Sequence, residues 1–537
     1  MKRRLIFSST LASLILGAPA AMRASAQALC ESLTSLKLTN ATITSATSVP
    51  AGPFQPAAAP GQPTDTRDLP AFCRVAGVAK PTSKSEIGFE VWLPASGWNG
   101  KFEQVGNGGF AGTIPVGFMI EPLLHGYAAA ATDDGHHGNC CSAASWALGY
   151  PERIADFGYR AVHETSVQAK AIVRAFYGKD PARAYFVGCS DGGREALMEA
   201  QRFPDDFGGI VAGAPANYWT RLMVTAIWDE QALHNDPASY IPPSKLPVLQ
   251  NAALSACDAL DGVKDGLIED PRRCHFDPAV VQCKGDDAPD CLMARQVEAA
   301  KKIYGGSKNS RTGEQIMPGF SPGTEAVPGN WDLWMTAAGP NQTSLLSFLG
   351  NTFFQNMVFD DPKWDFRALN FDGDVKLTDD KTASILNSYN PDLTPFKAHG
   401  GKLIQYHGWG DAAIPPQESI DYYELVQKTM GKTDDFYRLF MVPAMSHCHG
   451  GPGVTDFGNL YSVPQRDADH DIVMSLDRWV EHGKAPDEII ATGYVDDNPT
   501  KGVAMTRPLC PYPKEAHYKG TGDTNDAANF VCQARKK

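Results

Sequence analysis

Gly188-Cys189-Ser190-Asp191-Gly192 has the G-x-S-x-G spacing that presents a serine hydroxyl for nucleophilic attack. The spacing alone is a weak signal, because Gly319-Phe320-Ser321-Pro322-Gly323 repeats it. Backbone chemistry separates the two. The residue after a nucleophilic serine must donate its N–H to the developing oxyanion, and Pro322 has none. Ser190 also follows the apolar run Tyr185-Phe186-Val187 and precedes a helix-like Arg194-Glu195-Ala196-Leu197-Met198, whereas no strand-to-helix pattern surrounds Ser321. Ser190 is therefore the expected nucleophile. Its oxyanion donors are expected at Asp191 and at Gly108 or Gly109, since a Gly-rich loop after an early strand can turn its N–H groups inward.

A serine nucleophile needs a general base, and the base needs an orienting carboxylate. The run Lys402 to Tyr406 reads as a strand entering His407-Gly408-Trp409-Gly410-Asp411. Phe436 to Val442 reads as a second strand, entering Pro443-Ala444-Met445-Ser446-His447. Asp411 is expected to orient the imidazole and His447 to accept the Ser190 proton. Among thirteen histidines His449 is the nearest rival, and His407 reads as a structural or pocket residue. Asp456 is a poorer third member because it follows the histidine. Cys189 directly precedes Ser190 and Cys448 directly follows His447. If serine and histidine share a hydrogen bond, their neighbours fall within the ~4.4–6.8 Å Cα separation that a disulfide needs. A Cys189–Cys448 bridge is the result. A cysteine nucleophile would need a thiolate, and zinc at His447-Cys448-His449 lacks an obvious further ligand.

The surrounding elements must hold these groups. Gly88 to Leu93, Lys101 to Val105, Tyr127 to Thr132, Ala184 to Val187 and Gly209 to Gly213 read as strands. Tyr159 to Tyr177 and Gly192 to Phe203 read as helices between them. Such alternation indicates a parallel α/β sheet. Residues 45–70 are rich in Pro, Ala and Gly and read as an irregular connection. After Pro215 the pattern breaks. Residues 217–395 read as a loop-rich insertion holding four cysteines and many aromatics, among them Trp219, Trp228, Trp331, Trp334, Phe348, Phe353 and Phe354. The expected organisation is a leader at 1–26, an α/β domain in two parts at 27–216 and 396–537, and an inserted lid at 217–395.

The chain has 537 residues, 61 acidic against 48 basic, and a formal charge of −13. An acidic balance without a basic run excludes nucleic acid and anionic membranes as main partners. Lys2-Arg3-Arg4, an apolar stretch to Pro19 and Ala24-Ser25-Ala26 have the pattern of a cleaved export signal. That leader carries four basic and no acidic side chains, so its removal makes the chain four charges more acidic. Twelve cysteines agree with an oxidising compartment, and the protein is expected to be secreted or periplasmic.

The runs Asp156-Phe157-Gly158-Tyr159-Arg160-Ala161-Val162-His163-Glu164, Gly188 to Arg194, Gly213-Ala214-Pro215-Ala216 and Met445 to Gly451 resemble the tannase/feruloyl esterase family over nearly the whole mature chain. The Cys-Ser, Asp, His-Cys arrangement is that family's signature. The resemblance implies an α/β-hydrolase fold with a large inserted lid and esterase activity on esters of phenolic acids. It also implies the pairs Cys30–Cys73, Cys257–Cys274, Cys283–Cys291 and Cys510–Cys532, with Cys140-Cys141 left as a vicinal bridge or two thiols. A structural Ca2+ in the lid is implied too. Here Asp258, Asp261 and Asp265 recur at short spacing with glycines at the bends, an oxygen donor set suited to a hard cation, and the carbonyls of Val263 and Leu267 would complete it.

A small-molecule aromatic ester, such as a plant polyphenol or cell-wall ester, is the implied substrate. No arginine occurs between Arg311 and Arg367, where Trp331 to Phe354 lie, so a lid arginine for a free terephthalate carboxylate is missing there. That favours a feruloyl or other hydroxycinnamoyl group, with galloyl next and a terephthalate monoester after it. A catalytically silent binding protein on the same scaffold is the alternative of a different class.

Overall fold

The structure, a computed structural model, describes residues 29–57, 63–462 and 467–534. The expected leader at 1–26 lies outside the described residues. Nine strands form the main sheet: β1 (Ala41–Val49), β2 (Phe72–Ala79), β3 (Ile87–Pro94), β4 (Lys101–Val105), β5 (Ala128–Thr132), β6 (Arg183–Cys189), β7 (Gly209–Gly213), β8 (Lys402–Gly408) and β9 (Tyr437–Val442). Their order is β1-β2-β3-β5-β4-β6-β7-β8-β9. The neighbours from β5 across to β9 are parallel, while β3 runs antiparallel to both β2 and β5.

Strand periodicity sorts the core into two layers. Phe186, Ile210, Leu403 and Leu439 pack with Leu197, Ile420 and Val426 of the helices Asp191–Arg202 and Gln417–Met430. Their sequence neighbours Tyr185, Val187, Val211, Ile404 and Phe440 pack on the opposite face with Ile472, Leu476 and Trp479 of the helix Ile472–His482. Truncating a wholly buried member such as Leu197 to alanine costs about 2–5 kcal/mol. From β4 the chain passes to β5 on one side and then to β6 on the other. The crevice beyond the carboxyl ends of β4 and β6 is therefore a topological switch point, where α/β sheets bind ligands.

Two sequence expectations need correction. The segment expected to be irregular from residue 45 begins inside β1, which pairs with β2 as an edge strand, and farther on Gly52–Phe54 pairs with Arg67–Leu69. Thr42, Ile43, Thr44, Thr47 and Val49 are β-branched, and that run outweighs the Pro/Gly-rich composition beyond it. The insertion between β7 and β8 is loop-rich at 258–293 and 306–330, as expected, but it is not loops alone. It contains the helices Trp219–His234, Leu246–Cys257, Ala294–Gly305 and Leu345–Phe353, which bury apolar clusters of their own. Among the described residues no helix is long and apolar enough to cross a membrane.

Candidate active site

Strand β6 ends at Cys189 and its helix starts at Asp191, so Ser190 alone makes the reversal, at φ 66° and ψ −120°. A non-glycine residue pays about 1–3 kcal/mol for such a conformation, and surrounding bonds must impose it. The Ser190 N–H donates to the Gly213 carbonyl at 3.0 Å, and the Ser190 carbonyl accepts from Arg194 and Ala216 at 3.1 and 3.0 Å. A Cβ at position 188 would lie 2.3 Å from the Gly192 carbonyl oxygen, and one at 193 would lie 2.3 Å from that of Gly213. Only glycine lets the strand and helix approach this closely. Ser321 of the second G-x-S-x-G lies in a loop.

The loops after β8 and β9 bring the other two groups to this turn. Ser190 Oγ lies 2.9 Å from His447 Nε2, and His447 Nδ1 lies 2.8 Å from Asp411 Oδ2. Asp411 Oδ1 accepts the N–H groups of Ala413 and Ile414 at 2.7 and 2.9 Å. Burial alone would raise the Asp411 carboxyl, but the histidines on its other oxygen outweigh it and hold the group well below the usual carboxylate range. Asp411 is thus a fixed anion aimed at Nδ1, which leaves Nε2 to accept the serine proton. His449, the rival base, stacks on Tyr461 at 4.6 Å instead, and Asp456 bridges to Thr492 through its backbone.

Asp191 opens the helix after Ser190, while Asn107 fixes the loop after β4 beside it. Its N–H donates to Glu195 at 3.0 Å, its carbonyl accepts from Gly192 at 2.8 Å, and its side chain donates to the Thr132 carbonyl at 2.8 Å. Gly108 and Gly109 follow, and both line the cavity that holds Ser190. Among the described residues their N–H groups meet no acceptor. His136 braces the loop by bonding the Phe110 carbonyl at 2.6 Å and stacking on Trp146, and burial pushes its imidazole down to about 4. Two N–H sources therefore flank the serine, as a tetrahedral oxyanion requires.

The five expected disulfides all form: Cys30–Cys73, Cys189–Cys448, Cys257–Cys274, Cys283–Cys291 and Cys510–Cys532. Cys189–Cys448 joins the residues beside nucleophile and base, with Cα atoms 6.0 Å apart across 259 residues. It also excludes a zinc-liganding role for Cys448. Cys140 and Cys141 stand in the cavity wall with their sulfurs 2.6 Å apart.

The cavity has a volume of about 1300 Å³. From the insertion, Trp334 meets the His447 ring edge-on with centroids 5.0 Å apart, and Leu333, Leu345 and Leu349 line the same wall. Trp331, Phe353 and Phe354 are buried within the insertion instead. Among the described lining residues there is no lysine or arginine, and Asp496 and Asp497 contribute carboxylates.

Away from this cavity, Gly262 and Gly266 turn the Asp258–Leu267 loop at φ +95° and +81°. Asp258 accepts the N–H groups of Asp265 and Gly266 at 3.1 Å, Asp261 that of Val263 at 2.9 Å, and Asp265 that of Leu267 at 3.2 Å. Arg507 adds a 2.8 Å ion pair to the other Asp265 oxygen. Burial first and Asp265 next raise the Asp261 carboxyl, and burial pushes the neighbouring Glu269 up to about 8. The Arg507 charge also acts on Asp261 and Glu269, while among the described residues Asp258 is met only by backbone N–H groups. This oxygen-rich, over-acidic set fits a hard cation. The three aspartates do not bring three side-chain ligand atoms within 4.8 Å of one another, whereas His163/Glu199/Asp206 and Asp134/Asp191/Glu195 do, so the loop would need its carbonyls.

Sequence reasoning passed over one part of the site. His407, read as a structural or pocket residue, bonds the same Asp411 oxygen as His447, with Nε2 3.1 Å from Oδ2. Two polar side chains at alternate positions of a buried strand, Gln405 and His407, were the available signal.

Sheet order, a strained serine turn after β6, an aspartate after β8 and a histidine after β9 define the α/β-hydrolase class. Comparison with known proteins narrows this. The profile described as "Tannase and feruloyl esterase" matches residues 73–533, and the chain belongs to that family of carboxylic ester hydrolases. It is 44% identical to an uncharacterized esterase of Xanthomonas campestris pv. campestris, over 95% of this chain and 92% of that one. It is 34% identical to the mono(2-hydroxyethyl) terephthalate hydrolase of Piscinibacter sakaiensis, over 87% and 85% of the two chains. The crystal structure of feruloyl esterase B from Aspergillus oryzae superposes with a TM-score of 0.85 at 30% identity, covering 95% of this chain and 100% of that one.

Proposed function

We propose that the protein hydrolyses uncharged esters of phenolic acids, hydroxycinnamoyl esters such as feruloyl foremost, through an acyl-enzyme on Ser190. The reading is carried by the hydrogen-bonded run Ser190–His447–Asp411 opening into a cavity whose described lining holds no lysine or arginine. His447 Nε2 takes the Ser190 proton as Oγ attacks the ester carbonyl. The N–H groups of Asp191 and of Gly108 or Gly109 receive the oxyanion. His447 then returns the proton to the leaving alcohol, and the same base activates the water that releases the acid.

The acyl group follows from charge. A terephthalate monoester brings a free carboxylate that needs a counter-charge, while the cavity wall offers Asp496 and Asp497. A methoxyphenol ring needs only an apolar wall, and Trp334, Leu333 and Leu349 supply one. Galloyl esters are the second reading, since the gallate ring is likewise uncharged. The test is kcat/KM on methyl ferulate, methyl gallate and a terephthalate monoester, with Ser190→Ala as control. We expect that order of rates and no turnover by the variant. Preference for the terephthalate ester would overturn the substrate assignment, and an active Ser190→Ala would overturn the mechanism.

We further propose that Asp258, Asp261, Asp265 and the carbonyls of Val263 and Leu267 hold a structural Ca2+, which would offset the excess negative charge there and take no part in the chemistry. Ten cysteines in disulfides support a protein that matures outside the cytoplasm, secreted or periplasmic.

A further inference from the structure

Behind Asp411 a line of buried polar side chains runs along β8. Period-two geometry puts Gln405 and His407 on one face of that strand. The helix Gln417–Met430 lays Ser419 over them, and the adjacent β9 contributes Tyr437. All four side chains are buried. His407 Nδ1 lies 2.7 Å from Ser419 Oγ, Gln405 Nε2 lies 2.7 Å from the same oxygen, and Tyr437 donates its hydroxyl proton to Gln405 Oε1.

One set of directions satisfies every group in this line. Ser419 Oγ has one proton to give. It accepts from the Gln405 amide, so its own proton goes to His407 Nδ1. The hydrogen of a neutral His407 ring then sits on Nε2, pointed at Asp411 Oδ2 3.1 Å away. Reversing the Gln405 amide would make Ser419 an acceptor from Nδ1 and set a bare nitrogen lone pair against the carboxylate.

We propose that His407 is a positioning residue of the esterase reaction, with its tautomer set by Tyr437, Gln405 and Ser419. This rests on the triad reading above. His407 gives Asp411 a fourth donor, beside His447 and the N–H groups of Ala413 and Ile414. Both oxygens are then doubly bonded, which fixes the rotation of the carboxylate. The His407 bond also takes up part of the negative charge on the oxygen that faces His447. Asp411 consequently stabilises the imidazolium of the transition state without trapping the proton before reaction. Behind metal ligands, partners one bond removed are worth roughly 10- to 100-fold in activity, and a loss on that scale is expected here.

The experiment compares His407→Leu, His407→Gln and Ser190→Ala, each counted by active-site titration with an organophosphonate where the serine is present. The leucine variant keeps volume and removes both nitrogens. It is expected to lose roughly 10- to 100-fold in kcat with KM within about twofold, and to move the acidic limb of kcat/KM to higher pH. The glutamine variant keeps an amide donor toward Asp411 and is expected to recover most of kcat and the wild-type limb. A leucine variant with unchanged kcat and pH profile overturns the proposal. So does a glutamine variant that falls as far as leucine with an equal drop in Tm, because that pattern belongs to packing alone. An active Ser190→Ala overturns the triad itself, whereas an inert one leaves the two histidine variants to decide the role of His407.

Discussion

Asp411 and Glu269 are both buried carboxylates, one at the end of a sheet strand and the other beside the Asp258–Leu267 loop of the insertion, and their surroundings treat the charge in opposite ways. Four N–H donors converge on Asp411 and keep it anionic despite complete burial. Glu269 receives one N–H, from Ala516 at 3.2 Å, and burial pushes its carboxyl up to about 8. Burial therefore does not by itself decide whether an acid is charged. The charges and hydrogen bonds of the groups facing it decide, the two histidines in the case of Asp411. In the sheet those donors come from backbone and side chains that the fold itself fixes. In the insertion a proton, or a cation, must make up the difference.

Removing the charge from Asp411 is the strongest way to sharpen this contrast. Asp411→Asn is expected to lower kcat about 10⁴-fold, because an amide can present its N–H to His447 and favour the wrong tautomer. Tm should fall as well, because the amide cannot accept from all four donors, and steady-state kinetics on the folded variant beside calorimetry separates the two effects. Full activity in this variant would remove the catalytic half of the comparison.

Next in size is the bridge between the two active-site loops. Mild reduction of Cys189–Cys448, or the Cys189→Ala/Cys448→Ala pair, is expected to lower kcat by roughly 10- to 100-fold, a magnitude typical of lost support behind catalytic groups. Stability should fall by about 2–5 kcal/mol, so activity disappears at denaturant concentrations where the sheet persists. Circular dichroism and turnover measured on one denaturant series separate the two losses.

Calcium tests the other half. At a hundredfold excess over Kd a bound ion stabilises by about 2.7 kcal/mol, so chelation is expected to lower Tm by a few degrees while kcat at 25 °C barely moves. A bound Ca2+ would displace a proton from Asp261, so the Tm gain is expected to be larger at pH 8 than at pH 6. Equal Tm with and without chelator at both values would refute the site.

A further test is the pH slope of the calcium-free protein. An unfolded glutamate ionises near ~4.3, whereas folded Glu269 ionises at about 8. Between those values the folded state binds more protons, so stability falls as pH rises. Asp411 works the other way: its depressed value adds stability above the unfolded range, and that stability is lost as pH falls toward the folded value. Glu269→Gln should flatten the descending slope from pH 5 to 8 and leave the acid side alone. Thermal melts across that range check it.

Much of the site was legible because its chemistry is local in sequence. Ser190 sits in a strand–turn–helix signature, Asp411 and His447 each follow an apolar run, and the two adjoining cysteines made their proximity a geometric necessity. Gly108 and Gly109, expected beside the serine, line its cavity. What escaped depended on contacts between distant segments. His407 became meaningful only once the helix at Gln417 laid Ser419 over it. Strand β1 was hidden because a composition window joined a β-branched run to the Pro/Gly-rich stretch beyond. The helices of the insertion were lost among Gly, Pro and aromatic residues, whose packing rather than periodicity decides their form. The lid aromatics divided in a way that sequence left open, with Trp334 at the cavity and Trp331, Phe353 and Phe354 in the interior.

The bond between Cys189 and Cys448 encloses strands β7, β8 and β9 and the entire insertion within one covalent ring. A protease that cuts any exposed turn between residues 190 and 447 opens the ring without releasing a fragment through that cut. Both pieces stay tethered at the two positions beside Ser190 and His447. An enzyme working among foreign proteases can thus be nicked in its lid and still keep nucleophile and base in one molecule.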